Sequence, residues 1–127
     1  MSAVPPLRLR RLWYTIGGLL LLGVLVVSLL PAPGDIGVGD KTSHLLVYFM
    51  LSGWFSVLAA NSRILVSSLV GLVLFGMLIE WLQGMTGYRY AEWGDVLANT
   101  LGCALGAFAY LAPLRRLFAA IDARLGA

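Results

Sequence analysis

Between Leu12 and Leu30 the chain runs for 19 positions without a charged residue. A helix needs about 20 apolar residues to cross ~30 Å of hydrocarbon, so this run alone points to a bilayer. It follows Arg8, Arg10 and Arg11, as a signal peptide would, but signal cores run only about 7–15 residues. Its length, and the apolar runs behind it, predict a retained helix ended by Pro31 and Pro33. The further runs are 41–60, polar in its first turn, 64–83, uncharged until Glu80, and 94–111, stopped by Pro113. Asn61 to Arg63 is a tight connection, and a loop containing Gly and Tyr, 84–93, leads to the last run. Composition agrees: 60% of residues are hydrophobic and 12% charged, against about 25% charged in soluble domains. The expectation is an all-α integral membrane protein, one domain over 1–127. Spans at about 12–30, 41–60, 64–83 and 94–111 would pack as an antiparallel four-helix bundle with short loops.

The Lys/Arg distribution gives an orientation. Arg8, Arg10, Arg11, Arg63, Arg115, Arg116 and Arg124 fall on one side, seven in all, against Lys41 and Arg89 on the other. The positive-inside rule places the first side in the cytoplasm, with both termini, in a cell (inner) membrane. Trp13 and Tyr14 mark the inner boundary, and Trp81, Tyr88, Tyr90 and Trp93 the outer. In the tail, 113–127, Leu114, Leu117, Phe118, Ile121 and Leu125 recur at helical spacing opposite Arg115, Arg116, Asp122 and Arg124. That pattern predicts an amphipathic interfacial helix that anchors the last span.

Several classes are excluded. Disorder needs low hydrophobicity and high net charge. A single cysteine, Cys103, permits no internal disulfide framework or Cys-rich metal site and reads as apolar filler. The chain has no Gly-rich phosphate loop, no G-x-S-x-G elbow and no basic–aromatic surface for nucleic acid. No H-E-x-x-H type motif occurs, so neither metal nor cofactor is assigned.

Polar side chains gather at one level. Asp40, Lys41 and His44 open the second run, Glu80 and Gln83 close the third, Arg89 and Glu92 lie in the loop, and Asp95 and Asn99 open the fourth. Five of the six acids, all but Asp122, and the one histidine lie on the extracytoplasmic side. Asp40 and His44, His44 and Tyr48, and Asp95 and Asn99 are each four apart and share helix faces. At that spacing His44 and Asn99 sit ~6 Å below Asp40 and Asp95. Arg89 is the expected partner of Glu80 or Asp95, because a guanidinium fork suits a carboxylate. Helix capping accounts for Asp40 and Asp95. It leaves Glu80, an acid at a helix C-terminus, and His44 without a reason of their own. A satisfied structural network, headgroup contact, acid–base chemistry and metal ligation all stay open for those two. Ala98, Gly102 and Gly106 form a small-residue ridge on the fourth run, and Ser67 and Gly71 one on the third. Both are expected to let helices approach closely, and no dimer is inferred from them.

Asp40-Lys41-Thr42-Ser43-His44 with Tyr48, Glu80 with Gln83, then Arg89, Asp95, Asn99 and Gly102 in order resemble the VanZ-like membrane family. The pattern D-K-x-x-H, E-x-x-Q, then R, D, N and G spans about half of the chain, Asp40 to Gly106. The resemblance implies a small polytopic membrane protein of a family typed by a member that lowers susceptibility to the antibiotic teicoplanin. Three functions then stand side by side. The outer cluster holds the headgroup of a membrane lipid or lipid-linked cell-wall precursor, with no catalysis. Alternatively, His44 and Glu80 form the acid–base pair of a membrane enzyme acting on such a precursor. The third is an oligomeric transporter, since four short spans carry no inverted repeat.

Overall fold

The computed structural model describes residues 3–31, 40–88 and 90–127. Among these the chain is all-helical: α1 (Arg10–Leu29), α2 (Asp40–Leu58), α3 (Ser62–Met85), α4 (Trp93–Gly106), a 3-10 helix (Ala107–Tyr110) and α5 (Ala112–Leu125). The boundaries follow local chemistry. Asn61 is the N-cap of α3, its side chain accepting the Ile64 amide at 3.0 Å, and a proline sits in the first turn of α5, where no amide partner is needed. Gly87, with φ of +80°, makes the turn after α3.

Two helices are long and apolar enough to cross a membrane, α1 and α3. A third joins them if Trp93–Tyr110 and α5, bent by 70° at their junction, count as one broken span. That is short of the four expected from sequence. α2 opens on five polar residues, Asp40 to His44, and α4 stops at Gly106 after 14 residues, ~21 Å at the helical rise. Its 3-10 continuation is tighter and longer per residue, so the helix thins as it nears its end.

α2 is the hub, packed most closely against α4. The reason is glycine. A Cβ on Gly102 would collide with the Leu45 carbonyl and the Phe49 amide, and one on Gly106 would lie 2.5 Å from the Phe49 carbonyl. Backbone therefore meets backbone, and Ser52 Oγ donates to the Cys103 carbonyl at 2.6 Å across the seam. The ridge expected on α4 thus works within the chain at these two positions. The one expected on α3 does not: Gly71 faces open space and Ser67 is exposed. Gly76, one turn and a half further on, is the buried glycine that meets α2 and α4, at Tyr48 and Asn99. Tyr48, Leu51, Leu72 and Cys103 form the apolar core. The opposite faces of α1, α3 and α4 are lined with exposed apolar residues such as Val27, Leu74 and Leu97. A skin of that kind is compatible with a lipid surround.

Candidate functional site

The polar side chains converge at the end of the bundle where α2 and α4 begin and α3 finishes. His44, in the second turn of α2, places Nδ1 2.9 Å from Asn99 Oδ1. An amide oxygen only accepts, so Nδ1 carries the proton and, in the neutral ring, Nε2 keeps its lone pair. Nε2 lies 3.7 Å from Asp95 Oδ2, and Glu80 Oε1 lies 4.0 Å from Nδ1. The side chains are 12% exposed for His44, 5% for Glu80 and 4% for Asp95, so one imidazole sits between two carboxylates largely out of water. Glu80 Oε2 accepts the Glu92 amide at 3.1 Å, which ties the end of α3 to the start of α4. Glu80, Asp95, His44 and Asn99 thus come together from three helices.

Around them the arrangement is less uniform. Lys41 lies at the rim, more than half exposed, 2.7 Å from Glu92 Oε2 and 3.5 Å from Asp95 Oδ1. Gly94 gives the lysine stem its room, since any Cβ there would strike it. An ion pair so exposed contributes little to stability, because water screens it. Tyr48 and Asn99 are buried, and neither the Tyr48 hydroxyl nor Asn99 Nδ2 has a hydrogen-bond partner among the described residues. Both approach one spot above Gly76, where a Cβ would lie 2.9 Å from Asn99 Nδ2 and 3.3 Å from the Tyr48 oxygen. His44, Glu80 and Asp95 each offer a ligand atom to a common point, the three atoms lying within 4.8 Å of one another.

Gln83 belongs elsewhere. Its Nε2 donates to the Ser28 carbonyl at 2.8 Å, and Tyr88 donates its hydroxyl to the Leu29 carbonyl. Both satisfy last-turn carbonyls of α1 that have no partner within their own helix. Asp40 is the first residue of α2, and the expectation that its side chain caps the helix lies outside the described residues. So does Arg89, with its expected pairing to Glu80 or Asp95.

Asp122 is the acid that sequence reasoning set aside. It is 1% exposed and accepts three N–H groups: the Arg8 amide at 2.6 Å, the Leu9 amide at 2.9 Å and the Trp13 indole at 2.7 Å. A carboxylate from α5 thereby serves the open amide end of α1, which has no capping side chain of its own. Burial pushes the Asp122 carboxyl up, but the Trp13 indole, the two amides and the Arg8 charge outweigh it and hold the group below its ordinary 3.8. Trp13, expected at the inner boundary, packs edge-on against Trp54 and Phe118. On α5 the buried stripe is Ala119 and Asp122, while Leu117 and Leu125 point outward.

Helices long and apolar enough to cross a membrane, with a buried acid–imidazole centre at one end, make this an all-helical protein compatible with a membrane and built around a polar centre. The chain belongs to the VanZ/LLP1 family, whose model matches residues 30–117. It is also similar to an uncharacterized protein of Schizosaccharomyces pombe, C11E3.10, at 33% identity over 79 residues. That match covers 60% of this chain and 46% of the yeast protein, so the chain spans less than half the length of this relative. No solved structure matches.

Proposed function

We propose that this is a multi-pass protein of the cell (inner) membrane whose polar centre binds the headgroup of an envelope lipid or lipid-linked cell-wall precursor. Four segments cross the bilayer, α1 to α4, both termini are cytoplasmic, α5 lies in the headgroup plane, and the polar centre opens to the extracytoplasmic side. The observation that carries the reading is the joint burial of His44, Glu80, Asp95 and Asn99 at one end of helices whose outer faces are apolar. Polar groups at headgroup depth gather where they have something polar to hold. Orientation rests on the seven-to-two Lys/Arg asymmetry.

Native mass spectrometry of gently extracted protein tests the binding: a co-purifying lipid that is lost in His44→Ala supports it, and a lipid-free protein overturns it. Cysteines introduced at Ser62 and Thr86 should react with an impermeant reagent from opposite sides, and labelling of both from outside overturns the topology. A second reading, a membrane enzyme with His44 and Glu80 as acid–base pair, draws support from the hydrogen bond that fixes the His44 ring. The structure adds Asp95, nearer to Nε2 than Glu80 is to Nδ1, as the partner to weigh in that scheme. Turnover of a lipid-linked precursor by the purified protein, abolished in His44→Ala, would favour it.

A further inference from the structure

A phosphate-bearing headgroup faces an obstacle at this centre. Glu80 and Asp95 are both buried beside His44, and Lys41 stands at the rim with Glu92 as its nearer partner. A carboxylate offers a phosphate no donor, whereas a cation held between carboxylates attracts one. We propose that His44 Nε2, Asp95 and Glu80 bind one divalent cation of the zinc or manganese type, and that this ion is what accepts a phosphate group there. The second half of the proposal rests on the headgroup reading; the ion site stands on its own geometry.

That geometry is close to a coordination shell. Metal–ligand bonds of ~2.0–2.2 Å place tetrahedral ligand atoms about 3.3–3.6 Å apart. Nε2 and Asp95 Oδ2 are 3.7 Å apart, and one ring nitrogen of His44 with one oxygen each of Glu80 and Asp95 all lie within 4.8 Å of one another. One imidazole nitrogen with two carboxylate oxygens is a mixed donor set, suited to zinc or manganese more than to calcium or magnesium, which prefer oxygen alone. The surroundings resemble those of a metal histidine. A ligating ring commonly donates its other N–H to a carbonyl, which fixes the tautomer, and Nδ1 is so placed on Asn99 Oδ1. Glu80 is held from behind through Oε2 by the Glu92 amide, with Oε1 on the His44 side.

An independent observation points to a ligand oxygen. The Tyr48 hydroxyl and Asn99 Nδ2 belong to residues each 2% exposed, and neither has a partner among the described residues. Both reach toward the same spot over Gly76, one turn below Glu80 on α3. Buried donors of this kind call for an acceptor. An oxygen carried by the ion, from water or from a phosphoryl group, would supply it.

The test uses the full chain in phosphatidylcholine nanodiscs, stripped with chelator and then dialysed against Zn²⁺, Mn²⁺ or Mg²⁺. Elemental analysis should find one Zn²⁺ or Mn²⁺ per chain, with Mg²⁺ far weaker. Titration calorimetry should show affinity falling about tenfold or more in Asn99→Ala, by analogy with metal-supporting residues, and further in His44→Ala and Asp95→Asn. Lys41→Gln, which removes a competing cation from Asp95, should bind the ion at least as well. Melting of each variant in chelator separates loss of the site from loss of the fold. Well under one ion per chain, or binding indifferent to His44→Ala and Asp95→Asn in folded protein, overturns the ion site. Two arms then address the phosphate: inorganic phosphate added to the phosphatidylcholine discs, and discs containing phosphatidylglycerol. Ion-dependent binding in either arm supports the bridge and tells a free phosphate from a lipid. An ion bound with no phosphate in either arm overturns the bridge alone. A lipid retained after the ion is stripped, with no ion site found, overturns the ion while the headgroup reading stands.

Discussion

The two ends of the bundle bury carboxylates in opposite ways. At one end Asp122 is saturated: three N–H groups reach it at 2.6 to 2.9 Å, two of them from backbone. At the other, Glu80 and Asp95 stand 3.7 to 4.0 Å from the nitrogens of one imidazole. Beside them two buried polar atoms, the Tyr48 hydroxyl and Asn99 Nδ2, lack partners among the described residues. A carboxylate recruited to fasten a fold is closed off by rigid donors at ideal range. Buried donors without an acceptor among the described residues, beside an imidazole and two carboxylates, are what a bound group would use. The Asp122 end is a fastening, and the His44 end is, on the function proposed above, a receptacle.

The comparison breaks most easily at the fastening. Asp122→Ala strips the acceptor from two backbone amides and the Trp13 indole at once. Its melting temperature, followed by tryptophan emission, should fall by about 5–10 °C, the largest drop of any single change considered. A smaller drop than that of Glu80→Gln would erase the distinction between the ends. Acid should do more gradually what that substitution does at once. The folded carboxyl is held below the unfolded value of 3.8, so its stabilisation is fully present above that value and fades as pH falls through the folded one. A melting profile taken downward from pH about 5 should therefore steepen near and below the unfolded value, and Asp122→Asn should flatten that limb.

A third change separates the ends spatially. Gly102→Val drives a side chain into the Leu45 carbonyl and Phe49 amide, which should cost about 1–3 kcal/mol. Hydrogen exchange should quicken along α2 and α4 near His44 and Asn99, while the amides of Arg8 and Leu9 stay protected. The smallest effect on stability belongs to Glu80→Gln. The amide still accepts the Glu92 N–H and keeps its shape, so the loss should stay within about 1 kcal/mol. Ligand retention, read by native mass spectrometry, should nonetheless disappear. A variant that instead vanishes from the membrane together with its ligand would make the receptacle another fastening.

Much of the receptacle was legible because its residues obey local spacing. His44 and Tyr48, and Asp95 and Asn99, are four apart, so helix geometry alone puts each pair on one face. Gly102 and Gly106 announced a close seam in the same way. The all-helical class followed from long apolar runs, although their lengths overstated how many helices would individually suffice to span a bilayer. Asp122 was not legible. Its partners lie 113 and 114 residues away, and no periodicity says which face of an amphipathic helix will meet the start of another. Gln83 shares a face with Glu80 by spacing, yet its side chain reaches sideways to Ser28 of α1. Gly76 drew no notice because its use depends on Tyr48 and Asn99 arriving from two other helices.

The glycine seam also acts as a ruler. Where backbone lies on backbone at Gly102 and Gly106, α4 cannot creep along α2 by fractions of a residue, because every intermediate position would press a side chain into a carbonyl. The next position that brings small residues back into step is a full turn away, ~6 Å along the axis. A slip of that size would put Asp95 where Asn99 now sits, or the reverse, and break up the set around His44. The alignment of the imidazole with its neighbours is thus indexed, either in register or lost, and a seam made of atoms with no charge sets the spacing of the charged ones.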